Sequence, residues 1–188
     1  TDQVIELAYT NINNLPLFTG TISKESIEAT IQHNHTVQRY RPSKTIHQQA
    51  YNVHGISFLD LITSPKTKEL TLPEDMTYLI GHNISFDVRL IKQSNPSTSE
   101  ILENVQLICT KDLAVKLSKF LKVSFPNHKL DTLVAHYYPN IGNTYSPTRH
   151  DAVGDIIKTT LLLRSLLLLI PNIESYLDLY KLLETLKK

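Results

Sequence analysis

Two short stretches hold the side chains best suited to chemistry. HDAVGD, His150 to Asp155, places a histidine and an aspartate five residues apart with small residues between. A histidine at the start of a helix and an aspartate one turn on can lean toward one cleft. Histidine titrates near neutrality and aspartate is a hard oxygen ligand. Together they suit metal-assisted hydrolysis, in which the histidine takes a proton from a water held by a cation that the aspartate helps to fix. The second stretch, GHNISFD, runs from Gly81 to Asp87. It follows an apolar run and opens a helical pattern, which puts Asp87 in a first helical turn beside a strand end. An open α/β sheet places ligands there. The helix start favours an anion, or a carboxylate that holds a metal. Asn83 is a natural cap for that helix. Phe86 offers a flat apolar face to a base or to the core.

The flanking elements must bring these stretches together. Val4 to Tyr9 reads as a strand, followed by an Asn-rich turn. A short helix is expected over Lys24 to Thr30, a strand over His35 to Arg41 ending at Pro42, and a helix over Lys44 to Val53 that Ser43 starts. Met76 to His82 is the strongest strand pattern, and Ile84 to Gln93 reads as a helix stopped by Asn95-Pro96. A strand follows over Val105 to Cys109, then a helix from Lys111 to about Lys122 with Thr110 as its N-cap. Three more helices are expected: one over LDTLVAHYY, one from His150 to Leu169 and one from Ile173 to Leu186. Strands first and alternating strands and helices after imply an α/β or α+β fold with helices on a mixed sheet, formed as a single domain over residues 1–188.

Composition narrows the function classes. A net charge of +1 is far from that of a protein that coats nucleic acid, so any such contact should be local. Cys109 is the single cysteine, which excludes an internal disulfide and fits a reducing, cytoplasmic setting. No basic segment followed by an apolar one opens the sequence, so no signal peptide is expected. The apolar run Leu161 to Ile170 is interrupted by Arg164 and Ser165 and is too short to span a bilayer.

HNISFD and HDAVGD, in that order, resemble the second and third motifs of the DnaQ-like family, the DEDDh 3′–5′ exonucleases built on an RNase H-like fold. Asn83, Phe86, Asp87, His150 and Asp155 match the pattern residue by residue. ICTKDLAVKLSKF followed by KLDTLVAHYYP resembles the family's intervening strand and helices. The pair Cys109-Thr110 is similar to the exonuclease X branch. RPSKTIHQQAYNVHGIS resembles a further family element upstream. The resemblance covers nearly the whole chain except an atypical stretch at about residues 13 to 32.

The resemblance implies a two-metal site for Mg²⁺ or Mn²⁺, with Asp87 and Asp155 as ligands and His150 as general base. It implies that Val53, His54, Asn83 and Phe86 contact the substrate, the 3′-terminal nucleotide of DNA, most simply a single strand. It implies release of nucleoside monophosphates. RNA remains open as a substrate, because DEDDh members act on either with the same site.

One family feature has no counterpart. The first motif, D-x-E, occurs nowhere in the chain. TDQVIEL, with Asp2 and Glu6 four apart, resembles instead the segment on the family's second strand, so Glu6 is at most a nearby acid. The family's first strand, which lies mid-sheet, is therefore unmatched, and two unpaired strand edges are expected. A preceding segment, a strand from another chain, or repacking in a homologue without catalysis would each account for this. The last case defines a rival function, a non-enzymatic module that binds nucleic-acid ends or a polymerase-like partner.

Plainer readings exist for several residues. His54 fits a satisfied buried histidine, and Val53 and Phe86 fit an ordinary core. His33 and His35 alternate on a strand pattern that suits a solvated face better than a metal pair. Asp112 and Asp131 read as helix-start residues, and the C-terminal leucines as core packing or a homodimer face.

Overall fold

A Ser23 side chain that accepts the backbone N–H of Ser26 starts a helix the sequence only sketches. In the computed structural model, which describes residues 2–122, 124–141 and 152–186, this helix, α1, spans Lys24–Asn34 between strands β1 (Glu6–Thr10) and β2 (His35–Arg39). It is longer than expected. His33 and His35 account for its end, because their Nδ1 atoms lie 2.7 and 3.0 Å from the carbonyls of Ala29 and Ile31. The Nδ1 atoms of the two histidines thus serve helix-terminal carbonyls.

The atypical stretch at residues 13 to 32 is core-forming. Leu17, Ile27 and Ile31 are fully buried, and α1 packs on α7 (Ala152–Leu167). Each such side chain contributes roughly 1.5–3 kcal/mol on burial. Arg164 of α7 fastens the preceding loop, donating from Nε to the Ile22 carbonyl and from Nη2 to the Gly20 carbonyl, both at 2.8 Å.

The second helix, α2, spans Gln48–His54 and is shorter than the expected Lys44 to Val53. The backbone N–H and hydroxyl of Ser43 are taken by Gln3 Oε1, and His47 is still extended, so the helix starts late. Gly55 ends it in the left-handed region at φ 69°, which glycine adopts without a Cβ penalty. Then follow β3 (Tyr78–Gly81), α3 (Ile84–Ser94), α4 (Ser99–Asn104), β4 (Gln106–Cys109), α5 (Thr110–Leu121), α6 (Leu130–Tyr137), α7 and α8 (Tyr176–Thr185). Of the five C-terminal leucines, Leu179 and Leu183 of α8 are buried, Leu182 is half-buried and Leu177 and Leu186 are exposed, so core packing explains only part of the pattern. Among the described residues no helix is long and apolar enough to cross a membrane.

The sheet is the principal departure from a single mixed sheet. β1 and β2 pair antiparallel, with Glu6 opposite Arg39, and β3 and β4 pair parallel, with Gly81 opposite Cys109. These are two separate two-stranded sheets, and among the described residues no strand pairs with the second edge of β1 or of β3. Both expected unpaired edges are therefore present. Leu7 and Ala8 point to opposite faces of β1 yet both are only half-buried, as is every residue of β3. Leu7 of β1 and Leu79 of β3 pack against one apolar cluster containing Val4, Tyr40, Leu70, Ile91 and Leu102. A two-stranded sheet is marginal alone, so the helices carry much of the cohesion. Ile157, Leu161, Leu162, Leu163 and Leu166 of α7 form the spine of the larger cluster, with Ile108 of β4 and Leu113 of α5.

Candidate active site

β3 turns into α3 within two residues, and the turn is built for close approach. A Cβ on Gly81 would lie 2.6 Å from Ile84 Cδ1. Asn83 takes a left-handed backbone, φ 65° and ψ 39°, a conformation asparagine tolerates better than most residues. Asn83 holds the N-cap position as the sequence suggests, but its side chain makes no capping bond. Lys111 Nζ instead donates to Asn83 Oδ1 at 3.4 Å.

His82 ties the turn to the rest of the site. A backbone carbonyl only accepts, so Nε2 donates to the His128 carbonyl at 3.0 Å. In the neutral ring Nδ1 is then the acceptor, and the Thr110 hydroxyl lies 3.0 Å from it and 3.3 Å from the Gly81 carbonyl. Burial lowers the pKa of His82 and keeps the ring neutral; Lys111 adds to the shift, while the His128 bond and the charges of Asp155 and Asp112 oppose it. Thr110 was expected to cap α5. Cys109 caps it, its sulfur accepting from the Asp112 N–H at 3.5 Å, because the Thr110 hydroxyl is engaged at His82.

Asp87 stands in the first turn of α3, as the spacing predicts. Its residue surface is accessible, but protein packed around the carboxyl excludes enough water to push its pKa up to about 6, and the charge of Asp155 adds to the rise. Asp155 lies on the first turn of α7, with 37% of its side chain exposed. The structure thus brings Asp87 and Asp155 within electrostatic reach of each other. It also reveals a partner that the sequence reading passed over. Lys158, buried on α7, places Nζ 2.8 Å from Asp131 Oδ1 and 3.5 Å from Asp155 Oδ1. Its three-residue spacing from Asp155 was the available signal. Asp131 does start α6 as expected, and it also holds this lysine.

His150 lies outside the described residues. Val53 and Phe86 are 50% and 45% exposed, which removes the core reading for both. Arg89 stacks over Phe86, with Cζ 5.2 Å from the ring centroid, a cation–π geometry. His54 ends α2 half-buried, with Nδ1 accepting the Ile56 N–H at 2.9 Å. Burial lowers its pKa, while the charge of Glu6 opposes the shift. Glu6 pairs across the strands with Arg39 at 2.8 Å, so its carboxylate is held by a cross-strand partner.

Among the described residues no group of three or more His, Cys, Asp or Glu side chains converges as a metal site. Asp87 and Asp155 nevertheless fit a hard divalent cation in type and charge: both are carboxylates, and the charge of Asp155 adds to the rise that burial causes in the pKa of Asp87. A cavity of about 540 Å³ lined by Leu72, Met76, Ile101 and Asn104 among others includes neither aspartate.

The model of the RNase_T family, described as exonuclease, matches residues 1–163. No curated protein matches the sequence. Among solved structures, an exonuclease X in complex with 5′ overhanging duplex DNA is similar in fold, with a TM-score of 0.58 over 94% of this chain and 90% of that one, at 18% identity. An α/β architecture with the HNISFD turn at a strand end, a second aspartate on a long helix, and a family match over most of the sequence lead to one assignment: the chain belongs to the RNase_T exonuclease family of DnaQ-like nucleases.

Proposed function

We propose that this nuclease is a 3′–5′ exonuclease that removes nucleoside monophosphates from DNA with the help of Mg²⁺ or Mn²⁺. The observation that carries the reading is the placement of the two motif acids, Asp87 in the first turn of α3 directly after β3 and Asp155 in the first turn of α7. Asp87 and Asp155 would hold the cation. A divalent cation bound there supplies Lewis acidity toward the phosphoryl group and makes water more acidic.

The remaining roles belong to the chain. His150 accepts the proton of the attacking water, and its protonation at low pH stops the reaction. Phe86 and Val53 present exposed apolar surfaces to the terminal nucleotide, with Arg89 beside Phe86 available to a phosphate. Asn83 and His54 supply polar contacts. Neutral His82 keeps the turn before Asp87 in place through Thr110 and His128. The DNA in the exonuclease X structure supports DNA as substrate.

The rival reading is an end-binding module without catalysis. The deciding experiment uses matched DNA and RNA oligonucleotides labelled at the 5′ end, with Mg²⁺, Mn²⁺ or chelator. A ladder shortening from the 3′ end of DNA only with metal is expected. Tight binding of single-stranded DNA without trimming would replace the first reading with the second, and preferential RNA trimming would replace the substrate.

A further inference from the structure

Among the described residues Lys158 is the buried charged side chain. A buried ammonium requires compensation, because burying a lone charge costs several kcal/mol or more. Its compensation comes from two carboxylates of different standing. Asp155 lies one turn back on the same helix, with Oδ1 at 3.5 Å, and Asp131 comes from the first turn of α6, with Oδ1 at 2.8 Å. Asp131 is nearly half exposed and Asp155 over one-third exposed, so solvent reaches both carboxylates. The ammonium therefore sits between a carboxylate assigned above to cation binding and one that is not, and it is drawn closer to the latter.

We propose that Lys158 is a positioning residue for Asp155: a tethered cation that competes with the divalent ion for that carboxylate, with Asp131 setting the balance by drawing the ammonium toward α6. The inference rests on the reading of Asp155 as a cation ligand. Two positive charges cannot share one carboxylate without repelling each other. Pinning the lysine on Asp131 relieves that conflict while keeping the buried ammonium paired. Removing the charge of Asp131 leaves Asp155 as the stronger partner, and Lys158 then occupies it.

The test is Mn²⁺ affinity of the full chain, read from the electron paramagnetic resonance of free Mn²⁺. Lys158→Met keeps the side-chain volume, and the two carboxylates it leaves behind are 47% and 37% exposed, so water can solvate them. Asp131→Asn keeps the hydrogen bond to the ammonium and removes the charge. Lys158→Met should bind Mn²⁺ about three- to tenfold more tightly, and Asp131→Asn about three- to tenfold more weakly, magnitudes typical of partly screened charges. In the double variant the effect of Asp131→Asn should vanish, because Asp131 acts through Lys158. A lysine that only staples α6 to α7 would move both single variants in the same direction. An Asp131 that acts only through its own field would weaken binding equally with and without Lys158. Either result overturns the inference and leaves Asp155 as a ligand. Wild-type protein without saturable Mn²⁺ binding, or binding unchanged in Asp155→Asn, overturns the cation reading and the inference with it.

Discussion

The Thr110 hydroxyl, fully buried at the start of α5, lies 3.0 Å from His82 Nδ1 and 3.3 Å from the Gly81 carbonyl, joining the end of β3 to the end of its parallel partner β4. Thr110→Val keeps the shape and removes the single hydroxyl proton that the His82 ring and the Gly81 carbonyl compete for. A loss of about 1–3 kcal/mol is expected. Calorimetry should show it as a melting temperature lower by several degrees. An unchanged melting temperature would mean that the bond contributes nothing net.

Asp87 gives a pH dependence with a definite sign. Its folded pKa, about 6, is raised above the ordinary carboxylate value. A raised pKa means that the folded state binds the proton more tightly than the unfolded state. The stabilising contribution is complete below the unfolded pKa and is lost as pH rises through about 6. Asp87→Asn should therefore melt higher than wild type at pH 7.5 without divalent cation and show no such advantage at pH 3.5. Discounted for exposure, the gain is about 0.5 kcal/mol, or about 1–2 °C.

The Asp155 charge should be visible at Asp87. In Asp155→Asn, the Asp87 carboxyl carbon followed by NMR should titrate at lower pH than in wild type, because a like charge has been removed. The same variant should lose metal-dependent trimming by about a hundredfold or more, consistent with removal of a ligand from a metal-assisted site. A titration that does not move would separate the two aspartates.

Phe86 is exposed, so its truncation tests substrate contact cleanly. Phe86→Ala should change stability by no more than about 0.5 kcal/mol. If a base stacks on it, DNA binding should weaken by about 1–3 kcal/mol, roughly five- to 150-fold in Kd. Fluorescence anisotropy with a short single strand measures this, and unaltered affinity would return Phe86 to the surface.

Arg164 fastens the loop before α1 through two carbonyls at 2.8 Å. Charge-assisted bonds of this kind contribute about 1.5–3 kcal/mol each when lost from a partly buried site. Arg164→Leu should speed amide hydrogen exchange across residues 17–27 more than in β3 or β4. Uniform acceleration would indicate a global effect instead of a local latch.

The sequence alone determined the order of the strands and of every helix except α4 (Ser99–Asn104), the placement of Asp87 in a first helical turn, and the family. These depend on local patterns: apolar period, a proline after Asn95, and two short motifs. What local pattern could not determine was partnership across the fold. Whether Thr110 caps its own helix or bonds His82 depends on how close β3 brings the histidine. Whether Asn83 caps α3 depends on a left-handed turn forced by the strand-to-helix approach. The packing of residues 13 to 32 on α7, the exposure of Val53 and Phe86, and the burial of Lys158 between two aspartates are likewise tertiary outcomes. In each case a side chain has several acceptable local partners, and the energy of the one that wins is set by which distant element arrives beside it.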